Sequence, residues 1–116
     1  MNIEELREYC LLKKAATESF PFDETTLVFK VMNKMFAITD IEDDFAVVIK
    51  CEPEEYMSMR ERYAAVTQPR YFRGSWNHVL IDGSIDVEQI KEWIDVSYDL
   101  IVSSLKKKDQ KLLAEM

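Results

Sequence analysis

The chain predicts an α+β domain in two layers: an antiparallel sheet with one face covered by N- and C-terminal helices. Three observations predict it. Helical periodicity is confined to the beginning, the middle and the end of the sequence. Between these segments lie short alternating runs joined by tight polar turns, which suits local hairpins better than long crossovers. The 116 residues, 47% hydrophobic and 32% charged, match a single core and a single domain over 1–116.

The elements follow in the order α-β-β-β-α-β-β-α. Ile3 to about Ala16 is expected as the first helix, capped by Asn2, with Glu4 and Glu5 at the positive end of its dipole. Leu6 and Cys10 fall on its apolar stripe, and the Ser19-Phe20-Pro21 corner lies beyond its end. Thr26–Val31 alternates as a strand with Leu27, Phe29 and Val31 on one face. Met32-Asn33 is a tight turn, since Asn tolerates the left-handed conformation. Lys34–Thr39 returns, with Phe36 and Ile38 expected on one face; the acidic turn Asp40–Asp44 leads to a third strand, Phe45–Lys50.

Pro53 at a first helical position opens the second helix, which fades near Ala65. Tyr71-Phe72 is expected as a short strand after an irregular stretch. In the next strand, Trp76–Ile81, the residues Trp76, His78 and Leu80 face one way and Asn77, Val79 and Ile81 the other. Asp86 with Gln89 suggests a capping box for one long last helix. Its stripe runs through Ile90, Trp93, Ile94, Ser97, Tyr98, Ile101 and Leu105. Lys106, Lys107 and Lys108 are expected near its C-terminal part, where cations complement the dipole.

Composition narrows the function classes. No apolar run approaches the length of a membrane span. The charged opening MNIEELREYC resembles neither a secretory nor a transit peptide, so a cytoplasmic protein is expected. Cys10 and Cys51 stand apart, without a CxxC spacing, and suit buried small hydrophobes. The lone histidine, His78, has no acid-base partner placed near it, and Gly74 and Gly83 do not form a phosphate-cradling loop. No enzyme activity and no cofactor is expected. Asp40, Glu42, Asp43 and Asp44 superficially resemble a calcium loop but lack its glycine and distal glutamate, so no metal site is expected either.

The net charge of −7 opposes simple attraction to polyanions, yet the charge is uneven. Residues 40–55 hold 1 basic and 7 acidic side chains, whereas residues 56–81 hold 4 basic and 1 acidic. That basic window carries Arg60, Arg62, Arg70 and Arg73 with Tyr71 and Trp76 interleaved, a pattern that suits phosphates and bases. The plainer alternative makes Arg60 and Arg62 solvated helix residues and the aromatics core. Lys30, Lys34 and Lys50 recur in or beside strands, as a basic sheet face or as ordinary edge protection. The tail lysines Lys106, Lys107, Lys108 and Lys111 suit a solvated helix end.

Five segments in order also resemble the MmcQ/YjbR family: Glu18 before Pro21-Phe22; Phe29-Lys30-Val31 before Lys34-Met35-Phe36; Lys50 before Glu52-Pro53-Glu54; Trp76-Asn77-x-Val79 before Asp82-Gly83-Ser84; and Ser97-Tyr98 before a Lys-rich end. The resemblance covers nearly the whole chain. It implies a frataxin-like (CyaY-like) fold and a DNA-binding role through a double-wing surface, with Lys34 on the hairpin. Asn33 stands where many relatives carry glycine, but it serves the same backbone need. The expected function is thus non-enzymatic DNA binding, with Arg70, Arg73 and Lys34 as principal contacts and Arg60, Arg62 and Lys50 as outer ones. The alternative, favoured by the −7 charge, is a module that binds an unidentified protein and no nucleic acid.

Overall fold

The computed structural model describes residues 1–116. The elements are α1 (Ile3–Leu11), β1 (Ala16–Ser19), β2 (Thr26–Val31), β3 (Lys34–Asp40), β4 (Ala46–Lys50), α2 (Tyr56–Arg62), β5 (Val66–Thr67), β6 (Trp76–Leu80), α3 (Val87–Ser103) and α4 (Lys107–Ala114). The six strands form one sheet in the order β1-β2-β3-β4-β6-β5, antiparallel at each pairing. Leu6, Met59, Ile94 and Leu113 come from the four helices and share one buried cluster with Phe29, Val47, Ile49 and Val79 from the strands. All four helices therefore pack on one face of the sheet. The other, open face is free of helices.

The two ends of the helical layer are built locally. Asn2 and Glu5 form a reciprocal capping box at α1, each side chain bonded to the other's backbone N–H. α1 is shorter than expected. Ala15 adopts a left-handed φ of 60°, and Ala16–Ser19 turn back to pair with β2 as an edge strand. This pairing gives the backbone partners that a frayed helix end lacks. Arg7 secures the turn by bonding Glu18 through Nε at 2.9 Å and through a second guanidinium nitrogen.

The last helix is two helices. The chain breaks at Ser104, whose hydroxyl donates to the Ile101 carbonyl at 2.6 Å, and buried Leu105 is the stop that redirects α4. Lys106, Lys107 and Lys108 consequently sit at the N-terminal start of α4, the end its dipole makes positive, with Asp109 as the complementary charge. The Gln89 half of the expected capping box is absent; Asp86 alone accepts from the Glu88 N–H at 3.3 Å.

Two strand expectations also change. Tyr71-Phe72 lies in an irregular loop, and the edge strand is Val66–Thr67, paired with Val79 and His78. Within the β2–β3 hairpin, Met32 and Asn33 take φ of 46° and 69°, the two-residue mirror-image turn expected. The register then slips: Phe29 opposes Ala37 but Lys30 opposes Met35. Phe36 is the extra residue of a bulge, and it enters the helix-side core with its ring 5.3 Å from Tyr98, edge to face. Ile38 instead joins Val28, Val48 and His78 in one cross-strand row, so Phe36 and Ile38 do not share a face.

Candidate functional site

Strand register divides the open face into three rows. One end carries Lys30, Met35, Lys50 and Trp76; the middle carries Val28, Ile38, Val48 and His78; the far end carries Thr26, Asp40, Ala46 and Leu80. The 68–75 loop lies over this face, where Arg70, Tyr71 and Phe72 line a groove with Ile38, Val48 and His78.

The basic end is shaped by a split in the sheet. β3 and β4 pair through Ala37–Ile49 and Ile38–Val48, and the ladder stops there. Beyond it the fully buried Ser97 hydroxyl of α3 donates to the Phe36 carbonyl at 2.6 Å and accepts from the Lys50 N–H at 2.9 Å. One side chain thus satisfies both backbone groups left by the bulge. The gap is flanked by Lys50 on β4 and by Lys34 at the start of β3. Lys34 Nζ donates to the Ser104 carbonyl at 3.2 Å, a cation at the carbonyl end of α3. Lys50 Nζ lies 5.8 Å from the Trp76 ring centre, and the Phe72 ring centre lies 5.1 Å from it. Lys30, Lys34, Lys50, Trp76 and Phe22 line one open groove with Ile101 and Ser104 at the end of α3, so it lies where the sheet end meets the helical layer.

The arginines of the basic window do not converge there. Arg60 is committed internally. Its Nε donates to the Asn77 Oδ1 at 2.7 Å, its Nη2 to the Trp76 carbonyl at 3.1 Å, and its plane lies over Tyr56. Asn77, fully buried, also donates from Nδ2 to the Tyr56 carbonyl at 3.0 Å, so this network joins α2 to β6. Arg62 is exposed on α2, 3.8 Å from a Glu55 carboxylate oxygen. Arg70 shares its groove with Asp23, Asp40, Asp43 and Asp44. Arg73 is exposed in the loop between Phe72 and Gly74 and belongs to no ion pair of the structure.

The far, acidic end has its own local logic. Asp23 accepts from the N–H groups of Thr25 and Thr26 at 2.9 and 2.7 Å, which holds its carboxyl below the usual carboxylate range. Asp40 accepts from the Glu42 N–H at 2.9 Å and Asp43 from the Asp44 N–H at 2.8 Å. These carboxylates shape their own turns, and no group of three or more His, Cys, Asp or Glu side chains is gathered as a metal cage. His78 sits in the middle row with its Nδ1 3.5 Å from the Thr67 hydroxyl. Both thiols are buried as expected. Burial pushes Cys10 up to about 12 and Cys51 up to about 11, away from reactive thiolates.

The family model described as YjbR matches residues 11–100. The chain belongs to the YjbR family. The YjbR proteins of Escherichia coli strains K12 and O157:H7 are each 32% identical over 118 aligned residues, covering 100% of both chains. The crystal structure of a Deinococcus radiodurans protein with a DUF419 domain superposes with a TM-score of 0.90 at 30% identity, over 97% of this chain and 88% of that one. A Pseudomonas syringae protein, 19% identical, shares the fold with a TM-score of 0.73, over 86% of this chain and 98% of that one. The family segments acquire physical roles in this light. Ser97-Tyr98 closes the sheet split and packs Phe36, while Tyr98 also donates to the Lys14 carbonyl at 2.7 Å. Asn77 is the buried hub behind Trp76. Neither role is signalled by sequence spacing, because both depend on groups 17 to 84 residues away. No helix is long and apolar enough to cross a membrane.

Proposed function

We propose that this YjbR-family protein is a non-enzymatic DNA-binding protein of the cytoplasm, and that its phosphate contacts come from the basic groove at the end of the sheet, where the open face meets the C-terminal end of α3. The observation that carries this is the gathering of Lys30, Lys34 and Lys50 in one groove of a chain whose net charge is −7. Three ammonium groups confined to one concave surface create a local field that the whole-molecule charge does not describe. Lys34 and Lys50 keep their assigned role, joined by Lys30, with Arg73 as an exposed neighbour along the loop. Arg60 is withdrawn from the contact set because its donors are already used inside the fold. Arg62 and Arg70 are minor, since carboxylates compete for them. N- and C-terminal helices on one face of an antiparallel sheet support the CyaY-like description, and the Met32-Asn33 hairpin tip beside Lys34 supports its comparison to a wing.

Fluorescence anisotropy with labelled DNA at about 50 and 200 mM salt tests the proposal. Binding that weakens steeply with salt is the expected result. Absence of binding at the lower salt with high micromolar protein overturns it, and favours the second reading, a protein-binding module. That reading draws on Tyr71, 82% exposed beside the acidic end, a surface suited to a basic partner protein.

A further inference from the structure

We infer that the nucleic acid this surface takes is single-stranded DNA, held by stacking as well as by phosphate contacts. The inference rests on the DNA-binding proposal and adds the ligand's strandedness. The basic groove sets two aromatic side chains, Phe22 and Trp76, among its lysines. Phe22 lines it and is 62% exposed, an outlay of apolar surface that core packing does not explain. Trp76 lies in the floor with Lys50 Nζ 5.8 Å from its ring. Phe72 extends the platform, its ring centre 5.1 Å from that of Trp76.

Aromatic faces alternating with cations on a sheet suit unstacked bases, whose rings are accessible only when the strand is unpaired. From Trp76 on β6 to Lys30 on β2 the groove crosses three inter-strand spacings, roughly 14 Å, which gives a strand room to lie across the sheet. A duplex asks for something else: a helix or ribbon that enters a groove and presents donors to base edges. The long helix α3 carries Glu88, Glu92, Asp95 and Asp99 against one lysine, Lys91, and cannot serve as that element. The basic helix α4 has Lys107, Lys108 and Lys111, but it is only 8 residues long and is separate from the groove lining.

The test is anisotropy of the full chain with a labelled oligothymidine and, separately, with a duplex of equal length, both at about 50 mM salt. Single-stranded DNA is expected to bind about tenfold tighter, the scale of one or two stacked bases. Phe22→Ala, at an exposed position, is expected to lose affinity for the single strand with an unchanged salt slope. Lys34→Gln is expected to lower the slope instead. Equal or tighter duplex binding, with Phe22→Ala neutral, overturns this inference while leaving DNA binding intact, and assigns the hairpin as a groove-entering wing. Failure of both oligonucleotides to bind overturns the inference and the DNA-binding proposal together.

Discussion

The arginine-rich stretch 56–81 and the lysine-bearing end of the open sheet face contain similar charge and use it differently. Four arginines lie close in sequence, yet Arg60 is bonded to Asn77 and Trp76, Arg62 sits by Glu55, Arg70 is exposed in a groove with four aspartates, and Arg73 is exposed in the loop. The three lysines are scattered over β2, β3 and β4 and meet in one groove. Proximity along the chain therefore says less about a binding surface than strand register does. A cation close to a buried amide serves the fold, and one left at the end of the interior strands is available to a ligand.

The largest way to break this comparison is at Arg60. Arg60→Ala removes the donor to the buried Asn77 Oδ1 and is expected to cost about 1–3 kcal/mol, measured by chemical denaturation. If Arg60 were a phosphate contact instead, the loss would fall on DNA affinity with stability unchanged. Ser97→Ala is expected to cost a similar 1–3 kcal/mol, because the buried Phe36 carbonyl and Lys50 N–H lose their shared partner. It should also loosen the basic groove, seen as faster hydrogen exchange at Lys50. Lys34→Gln and Lys50→Gln are surface changes, expected to keep stability within about 0.5 kcal/mol while lowering DNA affinity.

Acid sensitivity sharpens the other end of the face. The carboxyls of Asp23 and Glu18 lie below their ordinary range, the first through the Thr25 and Thr26 N–H groups and the second through Arg7. Groups depressed in the folded state stabilise it above their unfolded values, near pH 4, and that contribution disappears as pH falls through the lower folded values. The thermal midpoint Tm is thus expected to drop below about pH 4. Asp23→Asn should flatten that drop slightly, the smallest of these effects, read as a reduced difference in Tm between neutral and acidic buffer.

Much of the fold is legible from sequence because it rests on local signals. Asn2 caps α1, Met32-Asn33 turns the hairpin, and the alternation of Trp76 to Leu80 matches its burial, with Asn77 and Val79 inside. What escapes has non-local causes. Ala16–Ser19 becomes a strand because β2 offers it a pairing edge, and Phe36 reaches the helices because a bulge adds one residue to β3. The site follows the same division. Lys34 and Lys50 are identifiable as strand-associated cations, but the prominence of Arg70 over Lys30 reflects charge counted along the chain. Only the register puts Lys30 in line with Lys50 and leaves Arg70 among carboxylates.

The most direct measurement compares salt slopes of DNA binding for two double variants, Lys34→Gln with Lys50→Gln and Arg62→Gln with Arg70→Gln. The lysine pair is predicted to lower the slope on single-stranded DNA by about 0.7 per lysine, while the arginine pair leaves it near that of the unmodified chain. The reverse, a slope that falls for the arginine pair and holds for the lysine pair, would contradict the assignment of the phosphate contacts to the sheet.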